Sequence, residues 1–210
     1  MDMISAADAL ERLREGNRRF VSNEVDSHTF VTREHRAGMA AGQHPFAIVL
    51  ACSDSRVPTE LIFDQGIGDL FVIRVAGNIV APSQIGSIEF AAKQFGTHLV
   101  VVLGHSNCGA VIATLDELAL KESHRSPNLR TIVDRVRPAV EPVLEENKDL
   151  TDEQILNIAV HANVLASVQQ LQRGSLIIEE LINKNELHIV GAEYSIEKGT
   201  VEFSPAPSTL

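Results

Sequence analysis

Four short apolar runs punctuate the chain: "FAIVLAC" (46–52), "DLFVIRVA" (69–76), "HLVVVLGH" (98–105) and "LHIVGAEY" (187–194). They are rich in Val, Ile and Leu and do not alternate with polar residues. Uninterrupted hydrophobicity over a strand length predicts strands covered on both faces, hence a mostly parallel sheet flanked by helices. Helical spacing fills the intervals at roughly 57–63, 83–95, 107–120, 128–146 and 151–184, with Gly174 expected to divide the last. "GTVEFSP" (199–205) follows a glycine turn and is placed to add an antiparallel edge strand.

Ahead of the first strand, Ala6, Leu10, Leu13 and Phe20 recur near one helical face. Ser5 stands where an N-cap belongs, and Asp8 adds a carboxylate to the first turn. A helix this charged suits two roles, an arm packed on a neighbour or a helix packed on its own domain. Residues 31–42 predict a second short helix closed by Gly42. The expected architecture is one α/β domain over 1–210, with 1–44 as an N-terminal helical arm and 45–210 as the sheet and its helices. No repeat or low-complexity stretch interrupts it.

Composition narrows the function. Aromatic residues make up 4% of the 210, with no Trp and one Tyr, so the core rests on aliphatic side chains. The net charge of −10 is spread along the chain, which argues against nucleic acid as a partner. The N-terminus lacks a basic segment followed by an apolar run, so no signal peptide is expected. No apolar stretch approaches the ~18–20 residues of a membrane span, and no membrane association is expected. Two cysteines, Cys52 and Cys108, are too few for a disulfide scaffold. The cytoplasm is the expected location.

Both cysteines sit at the C-terminal ends of predicted strands. The first lies in "ACSDSR" (51–56), and the second in "GHSNCGA" (104–110), where His105 ends the strand and Cys108 opens the next helix. Open parallel sheets bind ligands at those ends, where the strand order reverses. A four-stranded order 2-1-3-4 makes the first and third strands neighbours across that point and brings Cys52, His105 and Cys108 together. Two sulfurs and an imidazole form a zinc donor set, and three protein ligands leave a fourth position open, as catalytic sites do. Asp54 is the candidate to manage that position, and Arg56 to hold Asp54 through a charge-assisted pair. Alone, each feature has a plainer meaning. A strand-end cysteine usually packs in the core, and Asp-x-Arg is usually a surface ion pair. Their joint occurrence points to a metal. A redox pair is the rival, but 56 positions separate the cysteines and no C-x-x-C occurs.

"ACSDSRV" and "GHSNCGA", at this spacing, resemble the two zinc motifs of the β-class carbonic anhydrases. The likeness extends through "IFDQGIGDLFVIRVAGNIV" (62–80), "GSIEFA" (86–91) and "LREGNRRF" (13–20), the last similar to bacterial members. The resemblance implies one Zn2+ per subunit held by Cys52, His105 and Cys108. It implies Asp54 and Arg56 as the catalytic dyad, with Asp54 a conditional fourth ligand. It also carries over a substrate pocket: Gln43, supplied by the partner subunit, Phe71 as an apolar wall, and Phe90 where many members have Tyr. Val49 stands where members with a regulatory bicarbonate site carry Trp, although Arg74 and Tyr194 match the rest of that triad. The plant-type pocket is therefore the expectation.

The activity so implied is the reversible hydration of carbon dioxide to bicarbonate and a proton by zinc-bound hydroxide, in a homodimer or homotetramer. Hydrolases of carbonyl sulfide and carbon disulfide share the ligands and are the nearest rival. A zinc-holding interaction protein, closed permanently by Asp54, is the rival of another class. The Asp54–Arg56 pair and Gln43 speak against it. No other histidine is marked by its spacing as a proton shuttle.

Overall fold

The computed structural model describes residues 4–24, 37, 39–119 and 126–204. Its centre is a five-stranded sheet: β1 Ala47–Ala51, β2 Leu70–Arg74, β3 Leu99–His105, β4 His188–Tyr194 and β5 Val201–Phe203. The order is β2-β1-β3-β4-β5. The first four strands are parallel, and β5 pairs antiparallel with β4, aligning Tyr194 with Val201. The expected order and edge strand are both present.

Burial explains the apolar runs. Every residue of β1 and β3 is buried, because helices cover both faces of the sheet centre. β2 lies at the edge, and only Leu70 is fully buried in it. The strands are shorter than the apolar runs: Cys52 falls just past the end of β1, in the loop that follows it.

On one face α1 (Ala6–Ser22) sets Ala6, Ala9, Leu10 and Leu13 against Val49, Val101, Leu103 and Tyr194. Ser5 caps this helix by accepting from Asp8 N. Of the two roles open to it, α1 takes the second within the protomer and packs on its own sheet. The buried Asn17 fastens it there, donating to the Ile62 and Gly199 carbonyls at 3.1 and 2.9 Å. The second helix expected over 31–42 lies mostly outside the described residues. Residues 37 and 39 are helical.

Further helices follow: α2 (Thr59–Ile62), α3 (Pro82–Phe95), α4 (Gly109–Ala119), α5 (Pro127–Glu146), α6 (Asp152–Arg173) and α7 (Leu176–Asn183). The break expected at Gly174 separates α6 from α7, and Ser175 caps α7 through the Ile178 N–H. The opposite face of the sheet packs Ile48, Leu50, Val100 and Val102 against Ile88, Val164, Leu171 and Ile178. Each such buried aliphatic side chain contributes about 1.5–3 kcal/mol. At the C-terminal ends of the strands a third cluster joins Cys52 and Cys108 to Val136, Val140 and Val160 of α5 and α6. Gly104 lets α6 approach the sheet closely, since a Cβ there would lie 2.4 Å from a Val164 methyl. No helix among the described residues is long and apolar enough to cross a membrane.

Candidate metal centre

β1 is flanked by β2 and β3, so the chain reverses its direction of sheet-building between β1 and β3. Ala51 and Leu103 are aligned across that boundary. The residues just beyond them are Cys52, on the loop after β1, and His105, the last residue of β3. Cys108 follows, immediately before α4. One ligand atom from each of these three side chains lies within 4.8 Å of the others, and all three residues are buried. They form the only such group among the described residues.

The protonation pattern suits a cation. His105 Nδ1 lies 2.9 Å from the Ser106 carbonyl, which can only accept, so Nδ1 carries the proton. That leaves Nε2 as a lone pair, buried and without a hydrogen-bond partner among the described residues. The two thiols are hydrogen-bonded to each other, which pushes their acidities apart. Cys52 is pulled down to about 4, first by the hydrogen bond with Cys108 and also by the Gly77 N–H, against the effect of burial. Cys108 is pushed up, first by that same bond and then by burial. A divalent ion between the three side chains would take up the orphaned Nε2, and the soft sulfurs with one imidazole fit zinc.

Asp54 overlooks this group, its Oδ2 4.0 Å from His105 Nε2. Arg56 grips it in fork geometry: Nε donates to Oδ1 at 2.9 Å, Nη2 to Oδ2 at 2.7 Å, and the Arg56 backbone N–H to Oδ1 at 2.9 Å. The Arg56 side-chain bond holds the Asp54 carboxyl well below the usual carboxylate range. Arg56 Nη2 also reaches the Asn107 carbonyl at 3.4 Å, tying the first ligand loop to the second. Asn107 sits in the left-handed region at φ 56°, which asparagine tolerates. From β2, Arg74 donates to the Cys52 and Asp54 carbonyls at 3.1 and 2.6 Å. Behind the sulfurs, the Gly77 N–H donates to Cys52 Sγ at 3.3 Å. Gly77 has φ 71°, and a Cβ there would lie 3.0 Å from the Ala110 Cβ, so glycine is required.

The remaining sequence candidates lie elsewhere in the protomer. Gln43 is exposed in the segment before β1, whereas Cys52 follows the far end of that strand. Phe71 and Phe90 meet each other, ring centroids 6.3 Å apart, and both pack on Phe95 beside the edge strand. Phe90 is 53% exposed. Val49 is fully buried in the core against α1. Tyr194 is aligned with His105 across β3 and β4.

A parallel α/β sheet with two sulfurs and an imidazole at its reversal point defines a class of metalloprotein. The chain matches the carbonic anhydrase family model over residues 47–201. It is 39% identical to carbonic anhydrase 2 of Mycobacterium tuberculosis over 194 residues, covering 91% of this chain and 89% of that protein. Against the carbonic anhydrase of Mycolicibacterium smegmatis the identity is 40%, with 93% and 91% covered. Among solved structures, the β-carbonic anhydrase CcaA superimposes with TM-score 0.73 and 30% identity, over 97% of this chain and 94% of that one. CafA of Aspergillus fumigatus, another β-carbonic anhydrase, gives 0.75 and 25%, over 96% and 91%. The chain belongs to the β-carbonic anhydrase family.

Proposed function

We propose that this protein is a zinc enzyme for CO2 + H2O ⇌ HCO3⁻ + H⁺. In this reading Cys52, His105 and Cys108 hold one zinc ion per subunit, and Asp54 and Arg56 are the catalytic pair. The observation that carries it is the convergence of the three ligand atoms within 4.8 Å, in a chain of this family. Zinc bound there supplies Lewis acidity, which in the best-known sites lowers the pKa of water from about 15.7 to about 7.

The chain's own groups do the rest. Arg56 keeps Asp54 ionised and acceptor-only, so the carboxylate takes a hydrogen bond from the attacking water and orients it. Released from Arg56, Asp54, whose Oδ2 lies 4.0 Å from His105 Nε2, would be the residue to hold the ion as a conditional fourth ligand and so exclude water. As thiolates, Cys52 and Cys108 cancel the formal charge of the ion, so activity rises towards alkaline pH. A rate unchanged between about pH 6 and pH 9 contradicts this.

Gln43, Phe71 and Phe90 bind substrate in a plant-type pocket built across a subunit boundary. A second copy supplies the Gln43 amide in a homodimer or homotetramer, as the family resemblance implies; within one protomer Gln43 precedes β1 and Cys52 follows it. Neither cysteine is in a disulfide, in keeping with a reducing cytoplasm. Elemental analysis and stopped-flow proton release at about pH 8.5 test the reading together. One zinc per subunit with CO2-dependent proton release supports it. Absence of either overturns it.

A further inference from the structure

Three polar residues of α6, Asn163, Ser167 and Gln170, recur at i, i+4 and i+7. Each donates to a carbonyl of the segment after β2. Asn163 Nδ2 reaches Gly77 O at 2.9 Å, Ser167 Oγ reaches Asn78 O at 3.2 Å, and Gln170 Nε2 reaches Val80 O at 3.3 Å. Asn163 and Ser167 are 2% and 4% exposed, deep in an otherwise apolar interface. The segment they hold would not adopt its shape unaided: Gly77 and Asn78 both have positive φ, 71° and 44°. The peptide between them is fixed at both ends, its oxygen by Asn163 and its N–H by the Val75 carbonyl at 3.0 Å. Held so, Gly77 keeps its own N–H aimed at Cys52 Sγ.

We propose that Asn163 and Ser167 are positioning residues that set the donor strength of Cys52 through the Gly77 N–H. The inference rests on the metal reading above. A hydrogen bond to a thiolate draws density from sulfur and weakens its donation to a bound cation. In a site whose two thiolates otherwise neutralise the ion, that loss of donation returns positive charge to the metal and acidity to the water it activates. Outer-shell groups of this kind typically influence affinity or activity about 10–100-fold.

The test uses the full chain loaded with cobalt(II), whose thiolate charge-transfer band reports sulfur donation directly. Asn163→Leu keeps volume and removes the donor; Ser167→Ala is the milder variant, which decides the matter if the first fails to fold. Expected are a charge-transfer band moved to longer wavelength in each folded variant and an inflection of the pH–rate profile moved upward. The zinc forms lose about tenfold in kcat/KM on the acid side of that inflection and regain it at high pH. A lowered Tm with band and profile unmoved makes the pair merely structural and overturns the proposal. Wild-type chain that takes up no cobalt overturns the metal reading as well. Full uptake with an unmoved band overturns this inference alone.

Discussion

The main-chain carbonyl of Asp54 accepts a hydrogen bond from Arg74 Nη2 at 2.6 Å, while Arg56 holds the carboxylate of the same residue. Two arginines from different parts of the chain thus divide one aspartate, Arg74 taking the backbone and Arg56 the side chain. The position of Asp54 over the metal centre depends on both, and the two roles separate experimentally.

Arg56→Ala leaves the ligand atoms untouched and frees the carboxylate. Turnover is expected to fall by about 10²–10⁴-fold, the range of a lost acid–base function. Metal content stays at the wild-type level. Stopped-flow rates beside elemental analysis of the same sample check the pair of outcomes, and a variant that loses its metal argues that Arg56 acts on the ligands.

Arg74→Lys retains the charge but replaces the two separate nitrogens that span the Cys52 and Asp54 carbonyls by one compact ammonium. The Cys52–Asp54 turn loosens, and kcat is expected to drop about tenfold with bound metal retained. Arg74→Ala should fall further. Equal rates for both variants and wild type would show that the turn holds without this residue.

Cys108→Ser replaces a soft sulfur by a hydroxyl that does not ionise near neutral pH. Dialysis against a chelator should strip this variant while wild-type chain keeps its metal, because two remaining ligands hold zinc poorly. Metal retained at one equivalent after dialysis would remove Cys108 from the ligand set.

His188, at the start of β4, has its pKa lowered by burial first and by the nearby His98 second. The folded chain therefore resists a proton that the unfolded chain accepts, and stability rises with pH wherever the unfolded state binds more protons. The contribution is complete above the ordinary histidine pKa and is lost as pH falls below it. Melting curves at about pH 7.5 and pH 5.5 should show a smaller acid-induced drop in Tm for His188→Gln than for wild type. Equal drops would mean that His188 titrates normally.

Much of this was legible before any coordinates. The runs that became β1 and β3 are apolar throughout because both their faces are buried, and that pattern needs no knowledge of which helices cover them. The cap at Ser5 and the break near Gly174 were equally visible, since capping and helix interruption depend on neighbours within a few residues. The convergence of Cys52, His105 and Cys108 could be anticipated from chain position: a cysteine or histidine at the C-terminal end of a parallel strand points to the sheet's binding edge. Asn163, Ser167 and Gln170 left a fainter trace. Their helical spacing was readable, but polar residues at that spacing ordinarily mark a solvated face, and here the face is buried.

By itself the sequence determined the element types, the parallel sheet and the donor chemistry, because periodicity and side-chain type are local properties. Tertiary structure alone decided that α1 lies on its own sheet, that Arg74 reaches the carbonyls of the Cys52–Asp54 turn, and that α6 braces Gly77 from 86 positions away. The last two join residues remote in sequence through main-chain oxygens, which every residue possesses. No residue type announces them until the fold brings the two segments together.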